Sequence, residues 1–239
     1  MARPVCLIVN PAAGGGRAAR VLPEVEAALR RLGVEHRTDR TRDLAHAREL
    51  AEAAVVDRQT VVTLSGDGLV GAVAGALRGQ ADALLGVLPG GRGNDFARVL
   101  GIPKDPVAAC EVIAHGVPRP LDIGDIDGRS FIGIASVGFD SEANRIANEA
   151  PAWMGQLVYA YGALRALAAW RPVRFELQID GQAHSFTGYS VAAANSKAYG
   201  GGMFLAPDAE IDDGQLDVII SAEASKRRFL VTLPKVFKG

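Results

Sequence analysis

The chain has 239 residues, 49% of them apolar and 22% charged, with a formal net charge of −1. This composition excludes a disordered or fibrous chain, and the near-neutral balance offers no global attraction to nucleic acid. Only two cysteines occur, Cys6 and Cys110, which excludes a disulfide framework and suits a reducing compartment.

Val5 to Val9 is a strand-length apolar run that Asn10 and Pro11 end, too short for a signal segment. Export is therefore not expected, and the cytoplasm is the expected compartment. Ala18, Val21, Leu22, Val25, Ala28, Leu29 and Leu32 follow helical spacing, with Gly33 as the stop. Next come a short strand at Glu35 to Thr38, a helix from Leu44 to Val56 and a buried strand at Thr60 to Leu64. A helix at Leu69 to Leu77 and a strand at Leu84 to Leu88 follow. Continuous apolar strands separated by helices predict a parallel sheet covered on both faces, which takes ligands at the carboxyl ends of its strands.

After Pro118 and Pro120 the pattern changes. Asp122 to Asp127, Phe131 to Val137, Arg174 to Ile179, Ser185 to Ala194 and Leu216 to Ile220 read as strands, and Asp180-Gly181 reads as a hairpin turn. The expectation is an α/β domain over residues 1–121 and a β-rich antiparallel domain over residues 122–239, with the boundary near Leu121. Trp153 to Trp170 contains Gln156, Arg165, Gly155 and Gly162, too polar for a membrane span. It reads as a helix packed on a sheet; contact with a bilayer surface is its second reading.

Three glycine-rich turns each follow an apolar strand: Asn10 to Gly16, Ser65-Gly66-Asp67-Gly68, and Pro89 to Asp95 (PGGRGND). Glycine lets backbone N–H groups approach an anion with no Cβ in the way, and a following helix adds its positive end. One such turn is usually a tight strand-to-helix connection. Three of them, two carrying an Asp, point to a nucleotide-phosphate and Mg²⁺ site. Each residue also has a plainer reading. Asp67 is a turn residue bonded to its own backbone, Asn94 and Asp95 are N-caps, and Asp212-Asp213-Gly214 is a connecting turn. Arg17, Arg20 and Arg98 are phosphate ligands or solvated helix residues, Arg20 more the latter. His36, His46, His115 and His184 lack mutual ligand spacing, so no zinc site is expected.

In order and spacing these motifs resemble the diacylglycerol kinase catalytic-domain family, which includes bacterial soluble lipid kinases and sphingosine and ceramide kinases. The carriers are Asn10-Pro11 with Gly14 and Gly15, Ser65 to Leu69 (SGDGL) and Pro89 to Arg98 (PGGRGNDFAR). In the second half they are Gly138-Phe139-Asp140, Tyr199 to Met203, Ala206-Pro207-Asp208 and Ile211 to Gly214. The resemblance implies an N-terminal α/β domain similar to those of NAD kinase and phosphofructokinase, and a C-terminal β-sandwich, with the nucleotide in the cleft between them.

The resemblance further implies that Asn10, Pro11, Gly14, Gly15 and Arg17 hold ATP phosphates, with Thr41 beside the nucleotide. Ser65, Gly66, Asp67, Gly68 and Leu69 form the central phosphate and metal loop, which Gly91, Arg92, Gly93, Asn94 and Asp95 face. Asp213 matches a metal-binding residue whose site the carbonyls of Glu210 and Gln215 complete. Asp67 and Asp95 are the catalytic candidates: both are candidates for Mg²⁺, and Asp67 alternatively takes the proton of the lipid hydroxyl. The implied partners are ATP and a lipid at the inner face of the membrane, with no nucleic acid and a homodimer left open; the lipid slot is placed near Tyr199 to Met203.

Several positions depart from the family. Leu69 stands where many bacterial members have Thr, Ala72 replaces a Glu, and Arg92 replaces a Thr or Ser, bringing a permanent charge expected to contact ATP phosphate. Leu233 to Gly239 resembles a point well inside the family's second domain, before an Asp-Gly-Glu turn that supplies a leading candidate base. The expectation is a fragment of a longer protein or a product without that element. The leading reading is an ATP-dependent lipid kinase. The alternatives are a kinase for a soluble alcohol or nucleotide, and a catalytically weak nucleotide- or lipid-binding homologue. A dinucleotide dehydrogenase is disfavoured because the first turn lacks G-x-G-x-x-G in register.

Overall fold

The computed structural model describes residues 3–222 apart from 152, 153 and 156, together with 226 and 228. Backbone contacts divide them into two compact units. One holds the residues up to Gly133 with Ile211–Gly214; the other holds Ile134–Glu210 and the described residues from Gln215 onward.

The first unit is built on β1 (Val5–Val9), β2 (His36–Arg40), β3 (Thr60–Ser65) and β4 (Leu85–Pro89), all parallel, in the order β2-β1-β3-β4. Its helices are α1 (Ala13–Arg31), α2 (Leu44–Val56), α3 (Asp67–Leu77), α4 (Asp95–Val99) and α5 (Pro106–His115). Side chains alternate along a strand, so β1 feeds two cores. Val5, Leu7 and Val9 pack with Leu22, Val25 and Leu29 of α1 and Cys110 of α5. Cys6 and Ile8 pack with Ala47, Ala51 and Ala54 of α2 and Leu69 and Val73 of α3. Each large apolar side chain fully removed from water contributes about 1.5–3 kcal/mol, so β1, buried along its whole length, anchors the unit. By contrast β2, one of the two edge strands, reads His-Arg-Thr-Asp-Arg and is only partly covered.

Asp43 caps α2 by accepting the His46 N–H at 2.8 Å, and Gly33 takes a left-handed φ of 71° just past α1, where a side chain would be strained. Helix α3 begins at Asp67 rather than Leu69, because Gly66 already holds the extended N-cap conformation. The hairpin of β5 (Gly124–Ile126) and β6 (Arg129–Phe131) also belongs to this unit, which therefore runs past Leu121. Ile132 packs with Val70, Ala74, Val87 and Phe96, and Arg78 meets Asp125 at 2.6 Å. The single strand expected over Phe131 to Val137 is accordingly two strands, β6 and β7 (Ile134–Gly138), divided between the units.

In the second unit β7, β8 (Val173–Ile179), β9 (Gln182–Ala194) and β12 (Asp217–Ala222) form an antiparallel sheet. Strand β9 is long enough to pair with β8 through its first half and with β7 and β12 through its second. The turn between β8 and β9 has Asp180 and Gly181 at φ 49° and 80°, the conformation that Asp-Gly favours in hairpins. A small hairpin joins β10 (Ala198–Tyr199) to β11 (Met203–Phe204).

Two helices complete the unit, α6 (Phe139–Glu149) and α7 (Leu157–Ala169). Phe139, Ala163, Ala166, Leu167 and Tyr189 form their shared core with the sheet. Gly162 permits the close crossing, since a Cβ there would lie 2.3 Å from the Ala143 carbonyl oxygen. The segment read as Trp153 to Trp170 thus holds a helix, α7 over Leu157–Ala169, packed on α6 and on Tyr189 of β9; Trp153 and Gln156 lie outside the described residues, as does Leu233 to Gly239. Helix α6 was not expected from the sequence. No described helix is long and apolar enough to cross a membrane.

Candidate active site

All three glycine turns emerge at the carboxyl edge of the parallel sheet, beside β1 and β3, where the strand order reverses. That is where such sheets leave a crevice. The turns touch one another through their backbones. A Cβ on Gly14 would lie 2.5 Å from the Gly90 carbonyl oxygen, and one on Gly91 would lie 2.5 Å from the Gly66 Cα. Gly90 is held by Ser65 as well: the Ser65 carbonyl accepts the N–H groups of Gly90 and Gly91 at 2.8 and 3.1 Å. Gly15 and Gly68 differ, having open space where a Cβ would stand. The glycines therefore divide in role. Gly14, Gly66, Gly90 and Gly91 let the loops converge, and Gly15 and Gly68 keep the convergence open.

Side chains fix the geometry of these loops. The Asn10 carboxamide oxygen accepts the Ala12 N–H at 3.0 Å, which sets the turn through Pro11. Asn94 has a left-handed backbone (φ 51°) and makes no side-chain cap to α4. Its side chain instead clamps Gly91 from both sides, accepting the Gly91 N–H at 2.8 Å and donating to the Gly91 carbonyl at 2.9 Å. Asp95 is buried and paired with Arg98, whose guanidinium also reaches the Gly93 carbonyl at 3.4 Å.

Asp67 stands in the first turn of α3, and its Oδ1 accepts the Phe96 N–H of α4 at 3.0 Å. The carboxylate thus ties the second glycine turn to the third. Thr41, buried past the end of β2, donates its N–H to the Val9 carbonyl at 2.9 Å and its hydroxyl to the Asp43 carbonyl at 2.5 Å. Arg17 reaches the Lys104 carbonyl at 3.3 Å. Leu69 is 3% exposed within the core below the site, so only its backbone remains for a ligand. In the third turn, the Arg92 Nη1 is buried with no hydrogen-bond partner among the described residues, an arrangement that costs about 1–3 kcal/mol while it lasts.

The segment Ile211 to Gly214 is pinned from the first unit. Asp122 accepts the Gly214 N–H at 2.6 Å and donates its own N–H to the Ile211 carbonyl at 2.8 Å, while Arg119 approaches Asp212 at 3.7 Å. Gly214 has φ 75°, and Asp213 belongs to this turn. The sequence reading missed the role of Asp122, which pairs with a partner 92 positions away. Among the described residues no three His, Cys, Asp or Glu side chains are grouped closely enough to cage a metal ion. The donor set suits instead a hard cation that arrives on phosphate oxygens with most of its waters, for which one carboxylate is enough. Asp67 fits that part through its second oxygen, whereas Asp95 is already engaged by Arg98.

In the second unit the motif residues build a buried network. Asp140, in the first turn of α6, is hydrogen-bonded to Ser190 and Tyr199. Burial raises its pKa above the usual carboxylate value, with the two hydroxyls opposing the rise. Burial first, and then the Asp140 charge and hydrogen bond, push the Tyr199 phenol up as well. The glycine run after Tyr199 packs on aromatic and thioether groups. A Cβ on Gly201 would lie 2.8 Å from the Tyr159 ring and one on Gly200 2.2 Å from the Met203 methyl. An open groove of about 640 Å³ lies between α6 and α7, lined by Arg145, Tyr161, Arg165 and Trp170 among others.

Comparison with known proteins accounts for both halves. The diacylglycerol kinase catalytic domain matches residues 4–126, and the YegS C-terminal NAD kinase beta sandwich-like domain matches residues 133–239. A diacylglycerol kinase of Mycobacterium tuberculosis is 33% identical over 98% of this chain and 78% of its own length. One from Bacillus subtilis is 30% identical over the same shares. A YegS-like lipid kinase of Chromohalobacter salexigens is 36% identical over 73% of this chain and 56% of its own. The crystal structure of a diacylglycerol kinase from Bacillus anthracis superimposes with a TM-score of 0.78 at 22% identity, covering 98% of this chain and 78% of that one. The arrangement of an α/β domain followed by an antiparallel sandwich-type domain is therefore a known one. One-third identity along almost the whole chain, with a family match spanning its α/β half, places this protein in the diacylglycerol kinase catalytic-domain family of lipid kinases.

Proposed function

We propose that the protein is an ATP-dependent lipid kinase that transfers the γ-phosphate to a hydroxyl of diacylglycerol or a related lipid, working at the inner face of the membrane. The observation that carries this is the convergence of the three glycine turns at one sheet edge, with Asp67 bridging two of them. Phosphoryl transfer is mostly positioning and electrostatics, which rigid loops provide. In this reading the backbone at Gly15 and Gly68 receives the nucleotide phosphates, and Asn94 keeps the Gly91 turn from relaxing when they arrive. Mg²⁺, when bound, offsets the charge on the transferring phosphoryl group.

Asp67 has one oxygen anchored to Phe96 and the other for chemistry. That oxygen takes the proton of the lipid hydroxyl, as the new O–P bond forms and the bond from the γ-phosphorus to the β-phosphate bridging oxygen breaks; in its other role it would help to hold Mg²⁺. Arg92, whose buried nitrogen has no partner among the described residues, is read as a contact for ATP phosphate.

The test is transfer of labelled γ-phosphate from Mg-ATP to detergent-dispersed diacylglycerol, with Asp67→Ala as control. Label that partitions into organic solvent and disappears in the control supports the reading. Label retained in a water-soluble product supports a soluble acceptor. ATP binding with no transfer to either acceptor refutes the kinase assignment for this chain.

A further inference from the structure

Helix α7 has an outer face that is the reverse of what a solvated helix shows. Its inner residues, Val158, Gly162, Ala163, Ala166 and Leu167, are buried. The residues pointing outward at helical spacing are Leu157, Ala160, Leu164 and Ala168, all exposed, with Leu157 at 69% and Leu164 at 53%. Ordinary amphipathic helices put charge there. Here the polar complement sits at the flank and at the end of the helix, and it is of one sign.

From residue 150 to residue 175 the sequence contains no Asp or Glu and three arginines, Arg165, Arg171 and Arg174, in a chain whose net charge is −1. All three are exposed. Arg165 leans on Tyr161, donating to its hydroxyl at 2.8 Å with the guanidinium 6.0 Å from the ring centroid. Lys226 donates to the Ala168 carbonyl at 2.9 Å, adding a cation at the carboxyl end of the helix. Neighbouring carboxylates are occupied. Glu142 and Glu149 on α6 both bind Arg145, at 2.7 and 2.8 Å, and Glu176 meets Arg174 at 3.2 Å. Arg165 and Arg171 make no ion pair with any described carboxylate.

We propose that the outer face of α7 is a docking surface for an anionic lipid bilayer. Leu157 and Leu164 enter the headgroup–acyl boundary, while Arg165, Arg171 and Lys226 meet lipid phosphates. An apolar strip bordered by unopposed cations matches the two layers of such an interface, apolar below and negative above. A second copy of the chain fits less well, because it would bring the same cations against themselves. The inference deepens the lipid-kinase reading and rests on it for why a soluble domain should seek a bilayer.

The test omits both ATP and diacylglycerol, so it can fail without touching the kinase reading, which dispersed lipid in detergent examines separately. The chain is sedimented with vesicles of phosphatidylcholine alone or mixed with phosphatidylglycerol. Binding is expected with the mixed vesicles and to fall with added salt. Leu157→Glu with Leu164→Glu is expected to lower it about tenfold or more while the circular dichroism melt stays put, since both side chains are already in water. Arg165→Gln and Arg171→Gln are each expected to weaken binding by about fivefold on mixed vesicles and not on phosphatidylcholine. No sedimentation of the unaltered chain, or leucine variants that bind as it does, overturns the proposal. So does a leucine variant that changes only the oligomeric state in sizing chromatography, which would assign the face to a second copy.

Discussion

Helices α3 and α6 begin alike and end up in opposite surroundings. Each is 11 residues long, follows a strand, has a glycine at its N-cap and carries an aspartate in its first turn. Asp67 of α3 lies where three loops meet at a sheet edge and spends one oxygen on a neighbouring helix. Asp140 of α6 is buried and spends its oxygens on two hydroxyls of its own unit. The same local grammar yields a bridge between two loops in one place and a buried structural hub in the other. What decides is whether the surroundings leave space, as at Gly68, or fill it, as the Tyr159 ring does at Gly201.

Substitutions can break this comparison. The largest effect is expected for Asp67→Ala, which should lower phosphate transfer by about 10³-fold with the fold retained, measured by labelled-lipid assay and circular dichroism. If Asp140→Ala lowers transfer just as much at unchanged stability, the contrast between the two aspartates fails. Next, Gly91→Ala should cost about 1–3 kcal/mol of unfolding free energy in urea, because its Cβ would meet Gly66. Gly68→Ala, with nothing near its Cβ, should stay within about 0.5 kcal/mol and act on nucleotide affinity instead. Arg92→Ala should weaken ATP binding by about tenfold in calorimetry; unchanged affinity removes Arg92 from the phosphate site.

The pH dependence sharpens the buried side of the comparison. Because the folded state raises the Asp140 pKa from 3.8, the folded protein holds that proton more tightly than the unfolded chain. The associated stability is complete below the ordinary carboxylate value and is lost as pH rises through the raised one. Asp140→Asn should flatten that decline in melting temperature. The smallest effect concerns the thiols. Burial pushes Cys6 up to about 12 and Cys110 up to about 11, so neither should react with iodoacetamide at pH 8 until the protein unfolds, a rate that mass spectrometry follows.

Much of the first unit was legible because its signals are local. The helix over Leu44–Val56 and the strand at Val5–Val9 follow from apolar spacing and caps, and their observed limits coincide with the expected ones. The gathering of the glycine turns at the carboxyl edge of the sheet was legible, yet the sequence could not divide their glycines into those that pack loop on loop and those that stay open. That division depends on Gly14 meeting Gly90 and Gly66 meeting Gly91 across the fold. Helix α6 was not legible because its buried apolar residues, Phe139 and Ala147, are few among charges, and its stability draws on packing against α7 and on Arg145 pairing with Glu142 and Glu149. Asp122 offered no signal beyond its polarity, and Asn94, marked by the third glycine turn, gave no sign of its clamp on Gly91. The turn that Asp122 fastens lies 92 positions away, where only the folded chain brings it within reach, and the local clamp of Asn94 depends on its left-handed backbone.

The charged face of β2 carries a consequence for the life of the chain outside its fold. A parallel sheet is open on both sides, and an outer strand of valines would template pairing with any unfolded segment nearby. Here the outer strand is His-Arg-Thr-Asp-Arg, with arginines at two of five positions. A stranger's backbone that approached this border would have to strip water from guanidinium groups before gaining a hydrogen bond. On the β2 side the sheet can therefore keep a wholly apolar strand next to its border without inviting aggregation there.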